Sequence, residues 1–381
     1  MKKLYIIFLL IAIGFIAKAA AIEKLSFKYP VLAGDTISTV IDYYPPAVEN
    51  DKNDIPLVII GGSSYLMYGG SKDNVTMVAE YFAQLGYSTF NMNYHKGLIP
   101  LPLQDLAYKG TQSIAAGLKD IIHKAEEFDI DPRKLTLFGI SAGGISSLMI
   151  STLDEESNEI FGVSDLEDKY GSLFGNSPYI GIDLNPAAVI TLGAALADVN
   201  QIDVSDTKNC KYFLIHGEHD KIVAPERDLP FTDIGKLVND GLSGLEGLIK
   251  QVESRHPAIE GASSLFGLNN WINNAKLKEI DGSFLVAEKL RSIDSTSVKT
   301  MFLPGEDHTI LFGEKRRVPS ARFKKILNDV DDFIYESTKS LSVFTTFKNR
   351  ASKIILSRKK AVVGGGVTFM VLLILLIKGI F

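Results

Sequence analysis

The sequence predicts an α/β fold in which helices cover both faces of a mostly parallel β-sheet. Short apolar runs bounded by glycine or proline alternate along the chain with amphipathic stretches of helical spacing. One such run, 134–138, leads into Gly139-Ile140-Ser141-Ala142-Gly143, and helical spacing follows. A G-x-S-x-G pattern between a strand and a helix predicts a sharp turn that presents the Ser141 hydroxyl as a nucleophile.

The predicted elements follow one another in a regular order. Two strands with alternating polarity open the fold at 22–29 and 36–44, and Pro45 ends the second of them. The apolar run 56–60 predicts a third strand, and residues 74–85 then have the spacing of an amphipathic helix. By the same two patterns, the later elements are the strands 88–94, 187–192, 211–216 and 298–303 and the helices 104–128, 145–153 and 320–335.

A serine nucleophile needs a base to accept its proton and a carboxylate to orient that base. Histidine is the usual base because its pKa lies near neutrality. Of the six histidines, His308 follows the last predicted strand, at the carboxyl edge where sites in parallel sheets lie. We predict His308 as the base and Asp220, which follows the strand 211–216, as the orienting carboxylate. Glu218 is the alternative carboxylate.

Backbone N–H groups beside Ser141 would stabilise the oxyanion of an acyl-transfer reaction. We predict that the amide of Ala142 supplies one donor, and that Gly62 and Ser63 supply the others from the turn after strand 56–60. His216 and His219 could be a metal-binding pair, but no further ligands approach at a recognisable spacing. We therefore expect neither a metal nor another cofactor.

Composition excludes some classes of function. The chain has 381 residues, 46% of them hydrophobic and 22% charged, with a net charge of -5. This balance is ordinary for a globular enzyme and has no basic excess, so we expect no nucleic-acid partner. Cys210 is the single cysteine, which excludes an intrachain disulfide.

Both ends of the chain are hydrophobic. Residues 1–19 join a basic start to an apolar stretch, which predicts a signal peptide, with an uncleaved N-terminal anchor as the alternative. Residues 361–377 carry no charge and reach the lower limit of the roughly 17–25 residues that a spanning helix needs. They predict a C-terminal transmembrane helix, preceded by a basic juxtamembrane linker at 341–360.

These end segments predict a single-pass membrane protein with the bilayer as its partner. The basic linker suits a cytosolic tail-anchored protein, but that topology leaves residues 1–19 unexplained. Long domains follow their export signal largely regardless of charge. We therefore expect the catalytic domain, 20–340, on the extracytoplasmic or lumenal side.

Two segments, 151–186 and 224–297, interrupt the alternation of strands and helices. Both begin at the predicted catalytic edge, and the second contains weakly amphipathic helical stretches. We predict that residues 224–297 form a helical lid over the site. Its apolar residues are compatible with a lipid substrate and equally with ordinary core packing.

The motifs together resemble those of the α/β-hydrolase superfamily, particularly its esterase/lipase branch (carboxylesterase-like, hormone-sensitive-lipase-like). The most specific match is D-P-x-x-x-x-x-x-G-x-S-A-G-G, at residues 131–144. The oxyanion motif H-G-G-G of these enzymes corresponds to Ile60-Gly61-Gly62-Ser63, and their N-Y-R corresponds to Asn93-Tyr94-His95. Ile60 replaces the histidine of the first motif, which affects the support of the backbone donors in this loop. His95 replaces the arginine of the second motif, so any anchoring role of that arginine is lost or changed.

The resemblance implies an α/β-hydrolase fold with a lid and a membrane-anchored serine hydrolase that needs no cofactor. Its substrate would be a small-molecule ester or a lipid ester, cleaved through an acyl-enzyme intermediate by Ser141, His308 and Asp220. Two alternatives stay open: a peptidase or amidase on the same scaffold, and a catalytically silent binding module. The oligomeric state does not follow from the sequence.

Overall fold

An eight-stranded sheet organises the part of the chain that the structure describes. The structure is a computed structural model, and apart from isolated positions it describes residues 23–30, 36–65, 72–97, 103–153, 166–174, 181–203, 209–230, 277–308 and 319–343. The strands of this sheet are β1 (Glu23–Pro30), β2 (Thr36–Tyr44), β3 (Pro56–Ile60), β4 (Ser88–Met92), β5 (Thr136–Ile140), β6 (Ala188–Leu192), β8 (Lys211–Gly217) and β11 (Val298–Leu303). A smaller sheet consists of β7 (Ala195–Leu196), β9 (Arg227–Asp228) and β10 (Ile280–Gly282).

The large sheet is antiparallel at one edge and parallel elsewhere. Its strand order is β1-β2-β4-β3-β5-β6-β8-β11. β2 pairs antiparallel with both β1 and β4, and all other neighbours pair parallel. The carboxyl ends of the parallel strands therefore share one edge, and the predicted mostly parallel sheet is confirmed.

Helices cover this sheet on both sides. The described helices are α1 (Lys72–Gln84), α2 (Leu103–His123), α3 (Ala125–Phe128), α4 (Ala142–Thr152), α5 (Leu166–Tyr170), α6 (Ser283–Ile293) and α7 (Ala321–Thr338). Because successive strand residues point to opposite faces, β3 divides its side chains between two cores. Val58 and Ile60 belong to the core that includes α2, α4 and α6, whereas Leu57 and Ile59 belong to the core with α1 and α7. Each fully buried side chain of this kind contributes about 1.5–3 kcal/mol.

The helix predicted over 104–128 is interrupted. α2 ends at His123 because the next residue, Lys124, leaves the helical conformation, with φ -93° and ψ 17°. The short α3 then begins at Ala125 and ends at Phe128. Asp129 then has a left-handed conformation, with φ 56°, which ends the helical segment. The helix after the predicted nucleophile begins at Ala142, directly after Ser141.

The range predicted as a lid, 224–297, is described in part. Its last third contains β10 and α6, and Val286, Ala287 and Leu290 of α6 are buried in the core. Most of the residues between 231 and 276 lie outside the described residues. The lid therefore stays a prediction for that segment.

The predicted C-terminal transmembrane helix is corrected by the structure. No helix in the described part of the chain is long and apolar enough to cross a membrane. The predicted span 361–377 and the N-terminal segment 1–19 lie outside the described residues. The predicted span was also marginal in physical terms, since it reaches only the minimal length and starts in the glycine run 364–366, which disfavours a helix. We withdraw the transmembrane helix and the single-pass localisation that depended on it.

Contacts between Cα atoms divide the chain into two compact units, Met1–Thr338 and Lys339–Phe381. The sheet and the helices described above belong to the first unit. A short 3-10 helix, Lys339–Val343, is the described part of the second. The predicted juxtamembrane linker, 341–360, thus lies almost entirely outside the described residues.

Candidate active site

Ser141 lies in the sharp turn between β5 and α4. Its φ of 54° and ψ of -121° are rarely adopted by L-residues and cost about 1–3 kcal/mol. The Ser141 N–H donates to the Leu192 carbonyl at 2.8 Å, and the Ile145 N–H donates to the Ser141 carbonyl at 2.9 Å. A Cβ atom on Gly143 would collide with the carbonyl oxygen of Ile60. The surrounding backbone thus holds the serine in a strained conformation that only a glycine-rich turn accommodates.

The structure brings together the three residues that were predicted as a catalytic triad. His308 Nε2 lies 2.9 Å from Ser141 Oγ, and His308 Nδ1 lies 2.6 Å from Asp220 Oδ2. The three residues follow β5, β8 and β11, whose carboxyl ends share the same edge of the sheet. An ionised carboxylate only accepts hydrogen bonds, so the imidazole proton resides on Nδ1 and Nε2 is free to accept the serine proton.

Asp220 is almost fully buried, and four hydrogen-bond donors surround its carboxylate. Its Oδ1 accepts from the backbone N–H groups of Ile222 and Val223, both at 2.9 Å. Its Oδ2 contacts His308 Nδ1 at 2.6 Å and His216 Nε2 at 3.3 Å. Burial works to raise the pKa of Asp220, but the hydrogen bonds from His216 and His308 outweigh it and hold that pKa well below its usual range. The carboxylate is therefore ionised at neutral pH.

The titratable residues that precede Asp220 in sequence differ in their exposure to solvent. Glu218, the alternative carboxylate, and His219 are exposed to solvent, whereas His216 is completely buried. His216 and His219 therefore do not converge as a pair of ligands. Among the described residues, no group of three or more histidine, cysteine, aspartate or glutamate side chains could hold a metal ion.

His216 is a residue whose place in the site the sequence analysis missed. Its Nδ1 lies 2.7 Å from Ser283 Oγ, and its Nε2 lies 2.8 Å from the Val223 carbonyl. Ser283 in turn donates to the Ala194 carbonyl at 2.9 Å. The ring thus ties β8 to the start of α6 and contacts the Asp220 carboxylate. The sequence pattern that could have predicted its burial is the alternation of side chains along β8, which places His216 on the same face as the buried Tyr212 and Leu214.

Two of the three predicted oxyanion donors, Gly62 and Ala142, lie beside Ser141. A Cβ atom on Gly62 would come within 2.7 Å of Ser141 Cβ and 3.3 Å of Ser141 Oγ, so this backbone passes directly beside the serine. Ala142 is the first residue of α4, where the N–H groups of a helix point outward and lack intrahelical acceptors. The buried hydroxyls of Ser63 and Tyr94 are hydrogen-bonded at 2.8 Å, which fixes the loop after β3.

Tyr65 is a second residue that the sequence analysis did not single out. Ser64 and Tyr65 have positive φ values of 52° and 59°, so the loop after β3 is strained at two consecutive non-glycine residues. The Tyr65 hydroxyl donates to the Ala142 carbonyl at 2.7 Å and lies 3.0 Å from Ser146 Oγ. Tyr65 therefore joins the loop after β3 to α4, the helix that begins directly after Ser141.

A mostly apolar pocket lies beside this junction. Tyr65 and Ile145 line it together with Pro230, Leu277 and Ile280, which belong to the range predicted as a lid. Ile145 is one turn along α4 from Ser141. The pocket can therefore hold an apolar group close to Ser141.

Comparisons with known proteins agree with this architecture. The family model described as BD-FAE matches residues 41–232, half of the chain. The propionate-bound structure of a thermophilic esterase, Est2, from the Planctomycetes species Thermogutta terrifontis is 15% identical with a TM-score of 0.50, and the match covers 84% of this chain and 95% of that one. Its butyrate-bound structure is 14% identical with the same TM-score and coverage. Identities this low show a shared fold alone, and no curated protein matches the chain.

Proposed function

The chain belongs to the BD-FAE family of α/β-hydrolase-type esterases, and we propose that it cleaves carboxylic esters with Ser141, His308 and Asp220. Family membership makes the protein a carboxylic-ester hydrolase. The observation that carries the finer assignment is the continuous hydrogen-bonded chain from Ser141 Oγ through His308 to Asp220 Oδ2. The roles of these residues and the course of the reaction are our proposal.

The first half of the reaction forms an acyl-enzyme. Ser141 Oγ attacks the ester carbonyl carbon while its proton moves to His308 Nε2, 2.9 Å away. The imidazolium that results is stabilised by the Asp220 carboxylate, 2.6 Å from Nδ1. When the tetrahedral intermediate collapses, the bond to the alcohol oxygen breaks and His308 returns the proton to the leaving alcohol.

The second half of the reaction repeats these steps with water. His308 accepts a proton from water as the water oxygen attacks the acyl carbon, and it returns this proton to Ser141 Oγ as the bond between Oγ and the acyl carbon breaks. The products are a carboxylic acid and an alcohol, and the enzyme is regenerated. During both halves the negative charge on the carbonyl oxygen faces the N–H groups of Gly62, Ser63 and Ala142. The close approach of Gly62 to Ser141 supports this assignment.

A small-molecule ester with an apolar group fits the site best. The pocket lined by Tyr65, Ile145 and Ile280 is mostly apolar. Burial of each methylene group there would contribute about 0.8 kcal/mol to substrate binding. The chemistry supplied by the side chains is sufficient for ester hydrolysis without a cofactor.

Replacement of Ser141 tests this function directly. We expect Ser141→Ala to lower kcat for a p-nitrophenyl ester by at least about 10³-fold, because the nucleophile is lost. A fluorophosphonate probe should label the wild-type protein at Ser141 and leave this variant unlabelled. Ser146→Ala, a buried serine on the same helix that lies 3.0 Å from the Tyr65 hydroxyl, is the matched control and should retain labelling. Ester hydrolysis at the wild-type rate in Ser141→Ala would refute the assignment.

A further inference from the structure

A second pocket, lined by polar and apolar groups alike, lies beside the loop after β3 on the side of β4. It lies at the carboxyl ends of β3 and β4, which are parallel neighbours with Ile60 opposite Met92. Gly62 of the oxyanion loop, Asn91 and Lys96 are among the residues that line it. Since Gly62 passes directly beside Ser141, a group bound in this pocket is close to the reacting ester.

Lys96 is fixed at this pocket through an aromatic neighbour. Its Nζ lies over the ring of Tyr94, 5.3 Å from the ring centre. The Tyr94 hydroxyl is hydrogen-bonded to Ser63 Oγ at 2.8 Å, and both side chains are buried. Tyr94 therefore links the ammonium group of Lys96 to Ser63, one of the predicted oxyanion donors.

Two buried lysines of the described chain show what the half-buried Lys96 lacks. The Lys134 ammonium pairs with both carboxylate oxygens of Asp54, at 2.6 and 2.7 Å. Lys119, also buried, donates to the Phe174 carbonyl at 2.5 Å. Among the described residues, Lys96 has no such oxygen partner, and burial lowers the pKa of its ammonium group. A partly buried cation without an anion is unfavourable for the fold, which is typical of a group kept for binding.

We propose that Lys96 binds a carboxylate or similar anionic group of the ester substrate in the pocket beside Gly62. This inference rests on the proposed function, because it places the anion next to the ester that Ser141 attacks. The substrate class is then an ester with one apolar part and one acidic part. An anion in this pocket provides the charge partner that Lys96 lacks, and the pairing stabilises the protonated ammonium.

The alternative role for Lys96 is a structural contact with the face of Tyr94. The two roles differ in what they predict for substrates. An ion pair favours an anionic ester over a neutral ester of the same shape, by about tenfold for a partly screened pair. A structural contact gives no such preference, and its loss lowers the rates for both esters alike.

Two pairs of matched esters test the proposal by turnover. The first pair is p-nitrophenyl hemiglutarate and p-nitrophenyl valerate, which differ by a carboxylate in place of a methyl group on the acyl side. The second is 4-carboxyphenyl acetate and 4-methylphenyl acetate, which differ in the same way on the alcohol side. We expect Lys96→Met to lower kcat/KM about tenfold for the anionic member of one pair and to leave both neutral esters within about twofold. The affected pair identifies the side of the ester that carries the anion.

Lys299→Met is the matched control, because Lys299 also lies over an aromatic ring, that of Phe213, 4.3 Å from its centre. It is exposed on β11, at the opposite edge of the sheet. This variant changes the net charge equally and should leave all four esters unaffected. Lys96→Arg should retain most of the preference, and 0.5 M salt should weaken it.

Binding to Ser141→Ala separates this inference from the proposed function. The variant is titrated with monomethyl glutarate and methyl valerate, with and without Lys96→Met. Tighter binding of the anionic ester, lost in the double variant, supports the role of Lys96 even if Ser141 is not the nucleophile. Equal affinity for both esters overturns the inference, whether or not the wild-type protein hydrolyses them.

Discussion

His216→Phe tests whether His216 only holds Asp220 in place or also takes part in the proposed reaction. Phenylalanine fills the volume of the imidazole ring but has neither nitrogen. The variant removes the contacts to Ser283 Oγ at 2.7 Å, to the Val223 carbonyl at 2.8 Å and to Asp220 Oδ2 at 3.3 Å. Since His216 is completely buried, water does not replace the lost partners without a rearrangement of the core.

The lost contacts determine the expected change in the free energy of unfolding and the expected change in kcat/KM. The Ser283 hydroxyl and the Val223 carbonyl each lose a close partner, at about 1–3 kcal/mol each, so the free energy of unfolding should fall by roughly 2–6 kcal/mol. This corresponds to a melting temperature lower by roughly 5–10 °C. Asp220 retains His308 and two backbone donors and loses only its longest contact. A loss of about 1 kcal/mol there lowers kcat/KM about fivefold.

The assay measures both quantities on the same preparation. Thermal unfolding gives the melting temperature, and kcat/KM for a p-nitrophenyl ester is divided by the fraction of sites that a fluorophosphonate labels. His219→Phe, an exposed histidine three residues along, is the control and should change neither value. An unchanged melting temperature in His216→Phe would refute the argument. So would a loss of activity as large as that in Ser141→Ala, because His216 would then act in the chemistry itself.

Two further substitutions follow from the same geometry. Asp220→Asn should lower kcat by roughly 10⁴-fold, because an amide favours the wrong tautomer of His308. The pKa of Asp220 lies well below its unfolded value of about 3.9, so its ionised form stabilises the fold above that value, and the contribution is lost as the pH falls towards the folded-state pKa. Between about pH 5 and pH 2, the melting temperature of the wild type should therefore fall more steeply than that of Asp220→Asn, and parallel curves would contradict the argument. Gly143→Ala should lower kcat/KM about 10²-fold, because its Cβ atom would meet the Ile60 carbonyl and displace Ser141. Gly181→Ala, where nothing lies within 4 Å but φ is +84°, is its control: the strain should lower the melting temperature without lowering kcat/KM.

Sequence reasoning singled out the three residues that we propose as a triad because each depends on a local pattern. Ser141 directly follows the apolar run that forms β5, and Asp220 and His308 lie within a few residues after the ends of β8 and β11. Parallel strands bring their carboxyl ends to one edge of the sheet whatever their separation in sequence. Side chains as far apart as residues 141 and 308 therefore meet at 2.9 Å, although no local pattern relates them.

The orientation of the supporting residues was harder to predict because it depends on tertiary contacts. The two histidines near Asp220 look alike in sequence, but His216 is the last side chain of β8 before Gly217 and points into the core. His219 follows the end of the strand and is exposed. The partner of His216 is Ser283, which is distant in sequence and is placed there by the packing of α6. Strand alternation predicts that His216 is buried, but it does not identify this partner.

The contact between Ser283 and His216 also determines how the predicted lid can be tested. β10, at Ile280–Gly282, pairs with both β7 and β9, and these two-residue strands are too short for any propensity to reveal. A Cβ atom on Gly282 would collide with the Ala224 carbonyl, so the start of the range predicted as a lid lies against its last third.

Removal of the whole range, 224–297, would therefore delete β10, α6 and the hydrogen-bond partner of His216. A loss of activity after such a deletion would follow from damage beside Asp220, even if no lid existed. A deletion confined to residues 231–276 leaves Ser283 in place. Only in that variant would a change in substrate preference, with the melting temperature retained, indicate that the segment covers the site.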